Sequence, residues 1–199
     1  GLYQKLPSWC PGVLRECCES GLSAGKCTVM MPSVTSRPAK EVAVMSTVDV
    51  LPLDGMSALV TGGSGGIGVA CAEALLRDGA SVTLSARRIE PLEEARALLR
   101  SSVRPGARLA IIAGDSMVAT DVKAALALAC EHTGRVDICV PTVGGGGIRP
   151  FLLHDEKSFL AEIELNVMSA FLVIRHPTPI MASHGGGSIV CVSSNVANL

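Results

Sequence analysis

The sequence predicts an α/β protein whose parallel sheet is wound on both faces, and three observations carry that prediction. Short, continuous apolar runs alternate along the chain with segments of helical periodicity, the pattern of strands buried on both sides and joined by helical crossovers. The hydrophobic share is 48% while aromatics supply only 3%, so the core has to be built from Val, Leu, Ile and Ala. A glycine-rich turn, Thr61-Gly62-Gly63-Ser64-Gly65-Gly66-Ile67-Gly68, lies between the first apolar run and the first helical segment.

Taken in order, residues 1–50 keep no period for long, and Pro7, Pro11, Pro32 and Pro38 interrupt whatever begins. They are expected to form an irregular extension. Met45 opens MSTVDVLPLDGMSALVTGG, which reads as the start of a compact domain and a candidate initiator. Residues 1–44 are then a targeting peptide or translated upstream sequence, or else a disordered tail that belongs to the protein. The domain proper is expected over 51–199. Within it, 56–61 reads as a strand, 66–77 as a helix, 80–85 as a second strand, and 91–100 as a helix with Pro91 at its first position, where a missing N–H costs nothing. A third strand is expected at 108–113 and a third helix at 119–131, stopped near Gly134. The fourth strand is 136–140. A long helical region covers 156–183, disturbed at Pro177 and Pro179, and the fifth strand is 188–192, after Gly185-Gly186-Gly187. Right-handed crossovers then give a doubly wound sheet.

Charge and composition exclude several classes. The net charge is −1 and basic residues are scattered without interleaved aromatics, so no nucleic-acid surface is expected. No apolar run approaches the roughly 20 residues of a membrane helix, and no secretory leader is visible in the first residues. Of the eight cysteines, four crowd the first segment (Cys10, Cys17, Cys18, Cys27), and no pair has the C-x-x-C spacing of a metal or redox site. No metal is expected; Cys71, Cys130, Cys139 and Cys191 read as small core residues. A reducing, cytoplasmic setting follows as the expectation.

The glycine turn carries the chemistry. Such a turn lets the backbone approach a pyrophosphate and lets the next helix pack closely, while the helix N-terminus offers free N–H groups to the phosphates. Its spacing, T-G-x-x-x-G-x-G, resembles the short-chain dehydrogenase/reductase family, with Thr61, Gly62, Gly66 and Gly68 at the fixed positions. The likeness runs from about 53 to 199. It implies a Rossmann-type domain that binds NAD or NADP, with Ser64 and Ile67 also in the binding loop.

At the end of the second strand, Val82-Thr83-Leu84-Ser85-Ala86-Arg87-Arg88, Ala86 stands where a carboxylate would hold the ribose hydroxyls of NAD. Two arginines follow, and guanidinium suits a 2′-phosphate. NADP is therefore expected over NAD, with Arg87 the principal contact and Ser85 or Arg88 assisting. By resemblance Asp115, with Ser116 beside it, meets the adenine. Where the family carries Asn-Asn-Ala-Gly, this chain has Pro141-Thr142-Val143-Gly144, so that only Gly144 matches and Pro141 brings no donor. The glycines 144–147 followed by Pro150-Phe151 resemble members acting on hydroxysteroids and 3-oxoacyl groups.

The resemblance also assigns catalytic roles. Asn166 matches the family's helical Asn, which holds a water, and Ser194, with Ser193 the weaker candidate, matches the serine that bonds the substrate carbonyl. A family member also needs a Tyr, whose pKa is lowered by a Lys four residues on, about a dozen residues beyond Ser194. The single tyrosine here is Tyr3, with Pro7 four residues on. The expectation is thus a C-terminally truncated NADP-dependent oxidoreductase acting on a small carbonyl or alcohol, inactive as given and homo-oligomeric when complete. A non-catalytic NADP-binding protein and a non-functional fragment are the alternatives. His176 and His184 read as structural or solvated, and an uncovered apolar side is expected along 161–174.

Overall fold

The computed structural model describes residues 51–146 and 150–194. The extension expected over 1–50, with Tyr3, Met45 and the first four cysteines, lies outside the described residues, as do 147–149 and 195–199.

Among the described residues five parallel strands form one sheet in the order β3-β2-β1-β4-β5. The strands are β1 (Ser57–Thr61), β2 (Ser81–Ala86), β3 (Leu109–Ala113), β4 (Ile138–Pro141) and β5 (Ser188–Ile189). Six α-helices intervene among the described residues: α1 (Gly66–Arg77), α2 (Ile89–Leu99), α3 (Ala119–Thr133), α4 (Glu156–Ile163), α5 (Ser169–Arg175) and α6 (Pro177–Ser183). The doubly wound Rossmann-type arrangement predicted from the alternation is therefore the observed one.

Strand periodicity explains how the core divides. In β1 every residue is buried, and neighbours point to opposite faces. Ala58 and Val60 pack with Ala72 and Leu76 of α1 and with Leu92, Ala95 and Leu99 of α2. Leu59 faces the other way, against Val122, Leu126 and Ala129 of α3, Val173 of α5 and Met181 of α6. Each fully buried Leu here contributes about 2 kcal/mol of transfer free energy. At the N-terminal edge of the sheet the buried polar groups are satisfied: the Ser57 N–H donates to Asp137 Oδ2 at 2.9 Å, the Ser57 hydroxyl donates to the Ala129 carbonyl at 2.8 Å, and Arg135 pairs with Asp137.

Several boundaries differ from the sequence reading. Helix α2 starts at Ile89, so Pro91 is its third residue and not its first; the first four N–H groups of a helix have no helical acceptor, and Pro is harmless there as well. Helix α3 runs to Thr133, and Gly134 ends it with φ +74° and its N–H on the Cys130 carbonyl at 2.7 Å. The region 156–183 is not one helix. A π-helical turn, Glu164–Met168, separates α4 from α5, and His176 separates α5 from α6. Strand β5 is only two residues in the ladder, although Val190 still donates to the Cys139 carbonyl at 2.9 Å. Cys139 is buried, and that burial pushes its thiol up to about 12. Cys191 is exposed, which corrects its placement in the core: it follows β5, which among the described residues is paired on one side only.

Candidate functional site

The order of the strands sets the position of the site. Between β1 and β4 the connections diverge to opposite faces of the sheet, and a crevice opens there at the carboxyl ends of the strands. A cavity of about 330 Å³ occupies it, lined by the loops after β1, β2, β3 and β4. This volume is at the small end of the roughly 300–1,000 Å³ typical of small-molecule sites.

The loop after β1 is held by its own backbone. Gly63 donates to the Ser85 carbonyl and Gly65 to the Gly62 carbonyl, both at 3.0 Å, and α1 opens with Val69 donating to the Gly65 carbonyl at 2.8 Å. Gly62 has φ +71°, a conformation that side chains rarely adopt. A Cβ on Gly68 would collide with the Gly62 carbonyl oxygen, so the first turn of α1 sits directly on the loop. A Cβ on Gly66 would meet nothing within 4 Å, which leaves its backbone open. Gly65 precedes α1 without a side-chain cap, and the first turn carries no acidic residue. The N–H groups and the positive end of the helix dipole are accordingly left to an anion.

Of the residues predicted for cofactor binding, Gly62, Ser64, Arg87, Arg88, Asp115, Ser116 and Gly144 line this one cavity. Thr61 and Ser85 are buried beneath it, and Gly66, Ile67 and Gly68 form the start of α1 beside it. Arg87 and Arg88 are exposed, and neither takes part in an ion pair among the described residues. Asp115 Oδ1 accepts from the Met117 N–H at 2.9 Å, while the Asp115 N–H donates to Asp121 Oδ2 at 2.9 Å. Asp121 thus shapes the loop after β3, a role the sequence reading missed; an acidic residue in the first turn of α3 was the available signal. Met117 and Val143 from loops and Leu165 from the π-helical turn also line the cavity without having been anticipated, since single apolar residues carry no motif.

The two catalytic candidates lie outside the lining. Asn166 sits in the π-helical turn, and its amide grips one residue of the loop after β4 twice. Its Oδ1 accepts from the Gly145 N–H at 2.9 Å, and its Nδ2 donates to the Gly145 carbonyl at 2.8 Å. The same Nδ2 donates to the Glu162 carbonyl at 3.0 Å. Ser194 is exposed beyond β5. Of the histidines, His184 is exposed with Nδ1 near the Ile180 carbonyl at 2.9 Å, whereas Nε2 of His176 is buried with no hydrogen-bond partner. Among the described residues no group of His, Cys, Asp and Glu is arranged to hold a metal, and no helix is long and apolar enough to cross a membrane.

The residues present fit a dinucleotide: an uncapped helix end, two guanidinium groups outside any ion pair among the described residues and a carboxylate meet at one crevice, with the open peptide of Gly66 beside it. Comparison with known proteins points the same way. Residues 56–199 match the family model described as short chain dehydrogenase. The chain is 35% identical over 155 residues to 2,3-dihydroxy-2,3-dihydro-p-cumate dehydrogenase of Pseudomonas putida, covering 76% of this chain and 58% of that protein. It is 32% identical over 153 residues to 7alpha-hydroxysteroid dehydrogenase of Escherichia coli, covering 77% and 58%. Among solved structures, a 7alpha-hydroxysteroid dehydrogenase complexed with NADH and 7-oxo glycochenodeoxycholic acid superposes with a TM-score of 0.68 at 31% identity, covering 78% of this chain and 59% of that one. The chain therefore spans less than two thirds of the length of the relatives it matches.

Proposed function

Since the chain belongs to the short-chain dehydrogenase family, we propose that it holds NADP and is part of an oxidoreductase that interconverts a small carbonyl compound and its alcohol. The observation that carries the choice of NADP is the end of β2. Ala86, Arg87 and Arg88 line the crevice there, with no carboxylate at Ala86 to repel a 2′-phosphate and with two guanidinium groups to attract it. The NADH in the related steroid enzyme keeps NAD in play for the family, and the run Ala86-Arg87-Arg88 of this chain is the reason for preferring NADP.

When bound, the nicotinamide supplies or accepts the hydride. The chain's own residues bind and orient. In this reading the loop from Gly62 to Gly68 and the N-terminus of α1 take the pyrophosphate, Arg87 takes the 2′-phosphate with Ser85 and Arg88 near it, and Asp115 with Ser116 meets the adenine. Asn166 fixes the loop after β4, and the Ser194 hydroxyl bonds the substrate carbonyl. In the family a Tyr and a Lys move the proton, and no residue among 51–199 is proposed for either role. The substrate is a hydroxysteroid-like or 3-oxoacyl compound, a class suggested by the glycines after β4 and by the steroid-acting relative. The protein is proposed to be cytoplasmic and homo-oligomeric, with residues 1–50 an extension to the domain.

Calorimetric titration of the chain with NADP and NAD tests the reading. NADP is expected to bind at least tenfold more tightly, and Arg87→Ala to lose that margin while leaving NAD within about twofold, since the charged contact is worth about 1.5–3 kcal/mol. A preference for NAD would overturn it. A protein that binds NADP yet, with its complete coding sequence, lacks an in-frame Tyr-x-x-x-Lys would instead be a binding protein without turnover.

A further inference from the structure

We propose that Thr142 is the residue that positions the first peptide of the phosphate-binding loop, through a hydroxyl that reaches across from the end of β4 to the end of β1. The inference rests on the dinucleotide reading above and names a residue outside the fixed positions of the glycine turn.

The geometry is local. Thr61 ends β1 and lies opposite Pro141 in the ladder. Pro141 turns its carbonyl to the chain just beyond β5, where it accepts from the Val192 N–H at 3.4 Å, and the buried Thr61 Oγ1 finds no hydrogen-bond partner. The connection between the two strand ends is made by the next residue. Thr142 donates twice to the Thr61 carbonyl, from its backbone N–H at 3.2 Å and from its Oγ1 at 2.8 Å. That carbonyl belongs to the peptide that joins Thr61 to Gly62, and the Gly62 carbonyl in turn accepts from Gly65 and lies against Gly68. Fixing the Thr61 carbonyl therefore fixes the plane from which the glycine turn departs.

Two further observations tie the hydroxyl to the loop. A Cβ on Gly62 would lie 2.6 Å from Thr142 Oγ1, so the absence of a side chain at Gly62 is what admits the hydroxyl. Thr142 also lines the cavity beside Gly62, so its contact is made at the wall where the phosphates approach. Without the hydroxyl the Thr61 carbonyl keeps a single long bond, and the turn gains freedom that binding must remove.

The test compares Thr142→Ser with Thr142→Ala in the full chain, since both lose the methyl and only Ser keeps the hydroxyl. NADP affinity is read by calorimetry, with adenosine 2′-monophosphate as a second probe that engages the Arg87 side and has no pyrophosphate. Thr142→Ser is expected to stay within about twofold of wild type for both ligands. Thr142→Ala is expected to bind NADP about three- to tenfold more weakly, the range for one neutral hydrogen bond, with its affinity for adenosine 2′-monophosphate unchanged. Equal NADP affinity in the two variants would overturn the proposal, as would parallel loss of both ligands in Thr142→Ala, which is the mark of general loosening. A wild-type chain that binds no dinucleotide would overturn the functional reading itself, and this proposal with it.

Discussion

Gly66 and Gly68 stand two residues apart at the start of α1 and meet opposite surroundings. At Gly66 there is open space, while at Gly68 the backbone of Gly62 and Gly63 leaves no room for a Cβ. Gly68→Ala is therefore expected to cost about 1–3 kcal/mol in urea denaturation, the range for overpacking a tight contact. Gly66→Ala is expected to fold within about 1 kcal/mol of wild type, helped by the better helix propensity of Ala, yet to lose dinucleotide affinity where its methyl meets the phosphates. Wild-type-like stability of Gly68→Ala would show that the loop is looser than its contacts indicate. The spacing of the glycines was legible in the sequence, and it located the turn between a strand and a helix. Which glycine serves packing and which serves access was not, because both fill fixed places in the same motif. Thr142 was illegible for a related reason: a hydroxyl that bonds a carbonyl 81 residues away leaves no local pattern. The exposure of Cys191 escaped for want of a neighbour, since an apolar run reads the same on an edge strand as on a central one.

At the scale of elements, the segment from α4 to α6 shows where periodicity stops being informative. The apolar spacing along 156–183 is helical throughout and gives no sign of the π-helical turn. That turn adds one residue to a single helical loop of backbone, a change smaller than the spread of an apolar stripe. What it accomplishes is tertiary: it turns the Asn166 amide onto Gly145, closing two hydrogen bonds with one side chain. Asn166→Ala is expected to raise the exchange rate of the Gly145 amide about three- to tenfold in native-state hydrogen exchange, consistent with the net worth of a hydrogen bond. Rates in the core amides of β1 should not move. An unchanged Gly145 rate would mean that the loop is held by something other than this grip. The start of α4 is more local in origin. Asp155 and Ser158 satisfy each other's backbone N–H groups, with the Ser158 N–H on Asp155 Oδ1 at 2.8 Å and the Asp155 N–H on Ser158 Oγ at 3.1 Å.

For the molecule as a whole, burial is uneven between the two sides of the α4–α5 segment. Val173 is buried against the sheet, whereas Phe159, Val167 and Phe171 are 54%, 56% and 46% exposed. Large apolar side chains exposed along one segment favour association. Sedimentation is expected to show concentration-dependent self-association of the chain, and Val167→Glu to reduce it while shifting the thermal midpoint by no more than about 2 °C, as befits a surface position. A monodisperse monomer at high concentration would refute the expectation. The architecture itself was readable at this scale, since alternating strands and helices under right-handed crossovers leave few other orders for a parallel sheet. The length of β5 was not readable, because its pairing is decided by β4 alone on the inner side. The central place of β1 also governs assembly in time. Its ladder with β2 closes across one short helical crossover, but its other edge waits for β4, whose neighbour Asp137 lies 80 residues beyond Ser57. Closing so long a loop is slow. During synthesis the first three strands and two helices therefore emerge with the middle of the eventual sheet still an open flank. The interval before β4 arrives is when a nascent chain of this topology most needs shielding from its neighbours.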